Sequence, residues 1–322
     1  FFGRFQQDHA VQYFYEPFLE AYDPELRKAL GVWYTPTEIV DRLQLELVLG
    51  GRPKKTAKPS ASSNVPSHSN GNDADDVLTP RAVENPVVAA LNPEQGEAVL
   101  HGEGPLLVLA GAGSGKTRVL THRLAYLVRR RGVPPDRIFA VTFTNKAAAE
   151  MKQRAERLLG GSAAGLWIGT FHSICLRLLR RHAERVGFPR GIGVSDQDDS
   201  VALLAEVLKR RGAGGDKRGA RAMHAVISAA KNRAWTPDDL RKQSRHPERE
   251  RQAAAWEEYQ SALREQGKAD FDDLLLLTAR LLEQPEIGPR YADHFLHLLV
   301  DEFQDTNRIQ LHLVRMLAIG PG

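Results

Sequence analysis

The chain has little cysteine and no long apolar run. Its one cysteine, Cys175, excludes an internal disulfide and favours a reducing compartment. No apolar run approaches the ~20 residues that a membrane-spanning helix needs, and no signal peptide is visible. Zinc-ligand spacing and internal sequence repeats are also absent. These absences predict a cytoplasmic protein with no membrane contact and no structural zinc.

A large excess of charge of one sign is also missing. The 322 residues include 44 lysines and arginines against 40 aspartates and glutamates, a formal net charge of +4. This small excess suits a nucleic-acid partner without identifying one. The length predicts two or three domain-sized units, and 42% hydrophobic residues are enough for a core.

A glycine-rich run, AGAGSGKT at 110–117, is the strongest chemical signal in the chain. It fits the pattern GxxxxGK followed by Ser or Thr, except that Ala110 replaces a glycine where only a small side chain is needed. An apolar run at 105–109 predicts a buried parallel strand before it, and 117–129 has helical periodicity. This context predicts a P-loop that holds the phosphates of a nucleoside triphosphate. Lys116 would reach the β- and γ-phosphates, and the Thr117 hydroxyl would bind Mg²⁺.

An acidic motif, VDEFQDT at 300–306, follows a second apolar run at 295–300 that predicts another strand. Asp301 would hold Mg²⁺ at the carboxyl end of that strand, and Glu302 would orient or deprotonate the attacking water. An Asp-Glu pair after a strand is commonly only a solvated turn. Its occurrence together with the P-loop favours hydrolysis of a nucleoside triphosphate.

Four further motifs surround these two. They are LNPEQ at 91–95, TFTNK at 142–146, IGTFHS at 168–173 and DFDDLL at 270–275. In this order the motifs closely resemble the N-terminal half of the UvrD, PcrA and Rep group of superfamily 1 DNA helicases, over about 89–322. The resemblance implies an α/β fold, a RecA-like P-loop NTPase domain with a parallel sheet and an inserted all-helical subdomain.

The same resemblance implies roles for individual residues. Gln95 would recognise the adenine of ATP, Arg118 would lie beside the nucleotide, and Gln304 would sense the γ-phosphate. The implied nucleotide-binding residues are Gln95, Ala110, Gly111, Ala112, Gly113, Ser114, Gly115, Lys116, Thr117 and Arg118; Lys116, Asp301, Glu302 and Gln304 are catalytic, and Thr117 and Asp301 hold Mg²⁺.

Single-stranded DNA is the second implied ligand. The residues that match the family's DNA track are Thr142, Phe143, Thr144, Asn145, Thr170, Phe171, His172, Asp270, Asp272 and Asp273. Phe143 is the candidate for base stacking, because an aromatic face can stack on any base without reading sequence. Considered with its strand alone, Phe143 would instead be a core residue.

A helical insertion is expected at 176–269, between a first part of the RecA-like domain at 89–175 and a second part at 270–322. Its predicted helices are 174–186, 196–211, 218–232 and 248–267, with Asp196 as an N-cap and Gly212 as a stop. Lysine and arginine recur through it, from Arg177 to Lys231 and Arg233. Such residues form either an ordinary solvated helical face or a surface that attracts duplex DNA.

The first 88 residues have a different character. Aromatic motifs within 12–43 resemble the stretch before the cofactor motif of adenine-specific DNA methyltransferases of restriction-modification systems. Neither a glycine-rich loop for S-adenosylmethionine nor the Asn/Asp-Pro-Pro-aromatic motif follows, so we expect no methylation. Residues 1–48 are predicted to be a helical fragment, and the Gly-, Pro-, Lys- and Ser-rich stretch 49–88 a flexible linker.

The resemblance places ATP between two RecA-like domains, the second of which donates an arginine. The sequence ends before that domain, so we expect the chain to bind Mg·ATP, single-stranded DNA and a duplex junction but not to unwind DNA without the second domain. The favoured function is the ATP-binding half of a DNA-dependent ATPase and 3′-to-5′ helicase. A restriction-modification methyltransferase fragment and a silent DNA-binding remnant are the alternatives, and a relative with an attached nuclease also stays open.

Overall fold

The computed structural model describes Gln44–Leu49 and residues 86–319, with gaps at 103, 112, 161, 162, 189, 190 and 245. For Gln44–Leu49 and Leu109 only the backbone is described. The methyltransferase-like motifs within 12–43, most of the expected linker, and Ala112 of the P-loop therefore lie outside the described residues.

Five strands form the main sheet. They are β1 (Gln44–Leu49), β2 (Pro105–Ala110), β3 (Ile138–Thr142), β4 (Trp167–Thr170) and β7 (His297–Val300), in the order β2-β1-β7-β3-β4. β3 runs parallel to both β4 and β7. Two short strands, β5 (Gly193–Val194) and β6 (Lys268–Ala269), form a separate parallel pair. The mixed α/β fold with parallel strands agrees with the expected fold class.

β1 runs antiparallel to both of its neighbours. Leu47 pairs with Leu107 on one side and with Val300 on the other. β2 and β7 therefore point in the same direction, at two strand spacings of about 10 Å in total. Residues 1–48 are expected to be helical, but residues 44–48, the part of this range that the structure describes, lie in strand β1. Leucines at 45, 47 and 49 alternate with the period of a strand, a signal that favours β1.

Eleven helices are described, and none of them has the length and apolar character needed to cross a bilayer. In chain order they are α1 (Pro93–Leu100), α2 (Lys116–Arg129), α3 (Asn145–Leu159), α4 (Phe171–Arg181), α5 (Gln197–Arg210), α6 (Lys217–Lys231), α7 (Pro237–Lys242), α8 (Pro247–Glu265), α9 (Phe271–Leu282), α10 (Gly288–His294) and α11 (Arg308–Ile319). Three 3₁₀ turns are Pro135–Arg137, Ala183–Val186 and Phe303–Asp305. The strand and helix predicted around the P-loop are present as β2 and α2, but the expected buried parallel pairing of the strand is wrong: β2 is an edge strand, paired antiparallel with β1, and its described side chains are only partly buried.

Helices cover both faces of the sheet. Phe139 and Val141 of β3 pack in a cluster with α4, α9 and α11, whereas Ile138 and Ala140 pack in a second cluster with α1, α2 and α3. This alternation follows from the two-residue period of a strand. Burial on both faces is typical of parallel sheets, whose strands are apolar throughout.

Helices α5 to α8 lie between β5 and β6 and pack around a third cluster that includes Leu204, Ile227 and Trp256. The predicted N-cap is confirmed, because the Asp196 carboxylate accepts a hydrogen bond from the Asp199 N–H at 2.8 Å. Gly212, with φ of +67°, follows the end of α5 as predicted. The short helix α7 has no counterpart among the predicted helices.

Arg123 joins α2 to the segment that leads into β2. The side chain is 1% exposed and donates hydrogen bonds to the carbonyl oxygens of Val99 at 2.8 Å and Gly102 at 3.0 Å, and also to that of His101. Burial lowers the pKa of Arg123 to about 10, which leaves the guanidinium charged at neutral pH. These carbonyl groups would lose their buried donor without it.

We expect Arg123→Leu to lower the free energy of unfolding by about 2–4 kcal/mol, because buried carbonyl groups would be left without hydrogen-bond donors. Urea denaturation of the chain measures this change. Arg130→Leu, at an exposed position at the end of α2, is the matched control and should change stability by less than about 1 kcal/mol. Equal effects of the two substitutions would contradict the role of Arg123.

Candidate functional site

The sheet brings four of the predicted motifs to one edge. β2, β3, β4 and β7 all point the same way, so their carboxyl ends lie on the same side. The P-loop follows β2, Phe143–Asn145 follows β3, Phe171 and His172 follow β4, and Asp301 follows β7. Ligands of open α/β sheets bind at this edge.

The P-loop has the backbone of an anion-binding turn. Gly113 and Gly115 have φ values of +75° and +88°, which residues with a Cβ rarely adopt, and Gly115 directly precedes α2. Lys116 is 6% exposed, and its Nζ donates to the carbonyl oxygens of Gly111 at 3.1 Å and Ala110 at 3.5 Å. The ammonium group therefore lies inside the loop that would surround the phosphates.

Gln95 lies against the end of the P-loop. Its side-chain amide donates to the Ser114 carbonyl oxygen at 2.8 Å, and Asn92 and Gln95 form a capping box at the start of α1. A Cβ built on Gly115 would stand 2.9 Å from Gln95 Nε2, so the glycine permits this close approach. Arg118 is exposed on the first turn of α2 and donates to the Ala90 carbonyl oxygen at 2.7 Å. Both side chains border the phosphate loop.

Asp301 is 3% exposed at the carboxyl end of β7. Its Oδ2 accepts a hydrogen bond from the Thr142 hydroxyl at 2.9 Å, and its N–H donates to the Val141 carbonyl oxygen at 2.9 Å. Both contacts come from β3, the neighbouring parallel strand. The acidic strand and the TFTNK motif therefore hold each other in place.

Glu302 has a left-handed backbone, with φ of 49°, which is uncommon for a residue other than glycine. Such conformations cluster at functional sites, because the surrounding structure must hold them in place. Gln304 Nε2 donates to Glu302 Oε2 at 2.6 Å. Burial raises the pKa of Asp305, and the neighbouring charge of Glu302 adds to this effect. Glu302 and Asp305 thus follow Asp301 closely in the chain, but among the described residues no group of three or more His, Cys, Asp or Glu side chains is arranged to hold a metal ion.

Comparison with known protein families covers the part of the chain that contains these motifs. A model described as the UvrD/REP helicase N-terminal domain matches residues 91–321. The chain belongs to the UvrD/REP helicase family. This match confirms the resemblance found over about 89–322; the methyltransferase-like motifs within 12–43 lie outside it.

Two curated relatives of this UvrD/REP family chain are both named ATP-dependent DNA helicase PcrA. The protein of Staphylococcus aureus is 44% identical over 235 residues, which cover 73% of this chain and 32% of the relative. The protein of Staphylococcus epidermidis is 45% identical over the same shares. The chain thus spans about a third of the length of these relatives.

The DNA-contacting residues expected from the UvrD/REP resemblance fall into two groups. Five are exposed or partly exposed, namely Phe143, Thr144, Asn145, His172 and Asp272. The other five are between 1% and 7% exposed, namely Thr142, Thr170, Phe171, Asp270 and Asp273. The buried residues can therefore hold the exposed residues in position.

Contacts of the buried group agree with a supporting role. The Thr170 hydroxyl caps α4 by accepting from the Ser173 N–H at 3.2 Å. The Phe171 ring meets the Phe143 ring edge to face, with centroids 6.1 Å apart, and so fixes the ring that is predicted to stack on bases. Thr142 is engaged with Asp301, as described above.

Asp270 and Asp273 belong to a buried ion cluster around Lys231 at the end of α6. Lys231 Nζ lies 2.6 Å from Asp270 Oδ2 and 2.7 Å from Asp273 Oδ1, and the lysine is 1% exposed. Tyr259 donates to Asp270 at 2.9 Å, and Gln260 donates to Asp273 at 2.7 Å. The expectation that Lys231 lies on a basic surface is wrong, because its charge is paired in the interior.

The same corner reaches the turn that carries Glu302. Asn232 Nδ2 donates to Asp272 Oδ1 at 3.0 Å, and Asn307 Nδ2 donates to Asn232 Oδ1 at 2.6 Å. Asn307 directly precedes α11, just beyond the acidic turn. Hydrogen bonds therefore connect the end of α6, the DFDDLL motif and the residue that follows the acidic motif, a connection that the motif spacing alone did not reveal.

A cavity of about 660 Å³ lies beside this corner, between the start of α9 and helices α5 and α6. Its lining includes His172, Arg221, His224, Phe271 and Asp272. Phe271 is 47% exposed and meets the His172 ring edge to face at 5.9 Å. Burial lowers the pKa of His172 despite the opposing charge of Asp272, so its ring is neutral at physiological pH.

Cys175 has no part in this site. It is 4% exposed within the cluster shared by α4 and α9, and burial raises the pKa of its thiol to about 12. A thiol that stays protonated at neutral pH is a poor nucleophile. The residue is a core side chain.

We expect Lys231→Met to lower the free energy of unfolding by about 3–5 kcal/mol at pH 7, because two carboxylates would be buried without their cation. In the wild type, burial alone would raise the pKa of Asp270, but Lys231 holds it below its ordinary value. The lowered pKa of Asp270 contributes to the free energy of unfolding. This stabilisation is fully present above the unfolded pKa of Asp270 and is lost as the pH falls through its folded pKa.

Burial already raises the pKa of Asp273 in the wild type. In the variant, burial without Lys231 would raise the pKa of Asp270 as well and that of Asp273 further, so the stability of the variant should fall as the pH rises above about 4. The difference between the two proteins should therefore grow from pH 4 to pH 7. Urea denaturation at both pH values measures it, with the exposed Lys209→Met on α5 as control. A difference that does not change with pH would contradict the ion-cluster explanation.

Proposed function

We propose that this chain is the ATP-binding part of a DNA-dependent ATPase and 3′-to-5′ DNA helicase. One observation carries the proposal: the loop that encloses Lys116 and the acidic turn at Asp301 and Glu302 follow strands of one sheet at the same edge. Membership of the UvrD/REP family, whose relatives are named ATP-dependent DNA helicases, supports it. The 3′-to-5′ direction comes from the family resemblance alone.

In this proposal, backbone N–H groups of the P-loop bind the phosphates, and Lys116 donates to them in place of its own loop carbonyls. Thr117 and Asp301 would hold Mg²⁺, which neutralises charge on the phosphates. Glu302 orients a water molecule and accepts its proton. Gln304, which donates to Glu302 at 2.6 Å, is placed to respond to the γ-phosphate. Gln95 and Arg118 border the loop and would contact the rest of the nucleotide.

Single-stranded DNA would cross the same edge. Phe143, Thr144, Asn145, His172 and Asp272 would contact it directly, through stacking and through hydrogen bonds to the backbone. The connection from Asp272 through Asn232 to Asn307 would join this track to the acidic turn. Helices α5 to α8 would then act as an inserted subdomain whose exposed basic residues attract duplex DNA.

We propose further that a second RecA-like domain completes the ATP site, from the remainder of a longer protein or from another chain. The 32% share of the relatives that the chain spans supports this idea. Absence of an arginine donor typically costs ~10³–10⁵ in turnover, so the 322-residue chain should hydrolyse ATP slowly. A cytoplasmic location stays a prediction.

Nucleotide binding and hydrolysis test the P-loop and the acidic turn separately. Lys116→Ala should weaken Mg·ATP binding by about 10- to 100-fold, because it removes a charge-assisted contact with the phosphates. Glu302→Gln should leave binding unchanged, since its amide oxygen still accepts from Gln304, but should slow single-turnover hydrolysis by about 10²–10⁴. Fluorescent-nucleotide titration and phosphate release measure these effects.

Glu97→Gln, at an exposed carboxylate on α1, is the matched control for Glu302→Gln and should alter neither measurement. No nucleotide binding by the wild type would favour the silent DNA-binding remnant instead. Fast DNA-stimulated turnover by the chain alone would contradict the need for a second domain.

Binding of a labelled oligothymidine tests the DNA track. Phe143→Leu keeps apolar volume against Phe171 but loses the aromatic face, so we expect affinity to fall by about 5- to 100-fold, the contribution of one stacked base. Leu296→Ala, an exposed apolar side chain just before β7 at the opposite end of the sheet, should have no effect. Equal affinity of the Phe143 variant and the wild type would exclude Phe143 as a base-stacking residue.

A further inference from the structure

A group of exposed arginines surrounds the end of α4 and the adjacent α10. We call Arg177, Arg181, Arg185 and Arg290 the α4–α10 arginine patch; all four are exposed. Arg185 pairs with Glu286 at 2.9 Å on the protein surface. The structure shows no acidic partner within the described residues for Arg177, Arg181 or Arg290. Three cationic side chains are thus available to an external anion.

Two of these guanidinium groups are held in place by an aromatic ring. The Arg177 guanidinium lies 3.8 Å from the centre of the Trp167 ring, and that of Arg181 lies 4.7 Å from it. Trp167 is itself only 2% exposed and contacts Phe295 edge to face. These contacts restrict the motion of both guanidinium groups while their N–H groups can still donate, so less conformational entropy is lost when an anion binds.

The arginines of the patch repel one another, and a bound anion would reduce this electrostatic repulsion. Burial and the neighbouring Arg181 lower the pKa of Arg177. Burial, Arg290, Arg181 and Arg185 together lower the pKa of His182, whose ring contacts Tyr291 of α10. Arg177 and Arg181 contact the same ring, so their positive charges lie close enough to repel each other. A carboxylate bound between these guanidinium groups would reduce their repulsion and would accept charge-assisted hydrogen bonds from them.

This surface is remote from the proposed nucleotide and DNA sites. Trp167 is the first residue of β4, and α10 directly precedes β7, so the patch lies at the amino ends of the strands. Helix α4 has 11 residues and is therefore about 16 Å long, with the DNA-track residue His172 at its opposite end. A single strand that crosses the carboxyl edge of the sheet would not contact this patch.

We propose that the α4–α10 arginine patch binds an acidic peptide segment of a partner protein. The planar guanidinium group of arginine can donate two parallel hydrogen bonds to the carboxylate of an Asp or Glu side chain. Exposed Glu184 and Glu286 interrupt the basic surface, which opposes the continuous run of phosphates in a nucleic-acid backbone. A short peptide with separate carboxylates can avoid these two residues.

Anisotropy titration of a fluorescein-labelled peptide of alternating glutamate and glycine residues against the chain tests this proposal. The double variant Arg177→Gln, Arg181→Gln should bind at least about tenfold more weakly, because two bidentate ion pairs are lost. Lys152→Gln, Arg157→Gln removes the same charge from the exposed face of α3 and should change affinity by less than about twofold. No peptide binding by the wild type, or equal losses in both variants, would overturn the proposal.

A charge-preserving variant distinguishes a built site from diffuse attraction. Arg177→Lys, Arg181→Lys keeps the net charge but cannot stack as a planar fork, so its affinity should fall nearly as far as that of the glutamine variant. Full binding by the lysine variant would overturn the proposal. Thermal unfolding monitors folding, and Arg290→Gln, which leaves the Trp167 stack intact, supplies a second test with a smaller expected loss.

Oligothymidine competition tests nucleic acid as the alternative occupant. The patch proposal predicts that oligothymidine leaves the peptide bound and that patch variants keep their DNA affinity. Displacement of the peptide, with matching loss of DNA affinity in the patch variants, would assign the patch to nucleic acid. Peptide binding should be unchanged by Lys116→Ala, so failure here is separable from failure of the proposed ATPase function.

Discussion

Parallel pairing of β3 with both β4 and β7 determines where the candidate ligands of nucleotide and DNA lie. It brings the residues after each strand to one edge and places the Asp301 carboxylate against the Thr142 hydroxyl. A shift of one residue in this pairing would move Asp301 away from Thr142 and exchange the two buried faces of the strand. Chemistry at the edge therefore depends on apolar packing beneath it, by Phe139 and Val141 on one face and Ile138 and Ala140 on the other.

The Lys231 ion cluster joins the helices between β5 and β6 to the sheet-based part of the chain. Its charges come from the ends of two helices, and Tyr259 and Gln260 satisfy further carboxylate oxygens. A buried ion pair is weak evidence for net stability, but it requires one specific arrangement, because any other leaves charges unpaired. We infer that the cluster fixes how α6 meets α9. The neighbouring Asn232 extends this fixed geometry to Asn307.

Much of the site could be predicted from local patterns, because the P-loop and the acidic turn each lie in one short segment. Examples of such locally predictable features are Gly113, Gly115, Lys116 and the strand before Asp301. The burial of Asp270 and Asp273 could not be predicted this way, since their partner Lys231 lies 39 residues from Asp270 along the chain. Alternating leucines at 45, 47 and 49 carried a strand signal, yet which strands they would join depended on long-range pairing. The stacked arginines on Trp167 likewise depend on how α4 returns over β4.

The position of β7 has a consequence for the order of folding during synthesis. Among the described strands β2 pairs only with β1, and β1 in turn pairs with β7, which lies near the end of this chain. The P-loop strand therefore cannot join the rest of the sheet until about residue 300 has left the ribosome. Helices α5 to α8, which have their own apolar cluster and mostly local contacts, can form earlier. Until β7 is synthesised, β1 and β3 each lack the neighbouring strand that β7 provides, so their unpaired edges stay exposed to aggregation. The time needed to translate residues 143–297, from just after β3 to the start of β7, sets how long this exposure lasts.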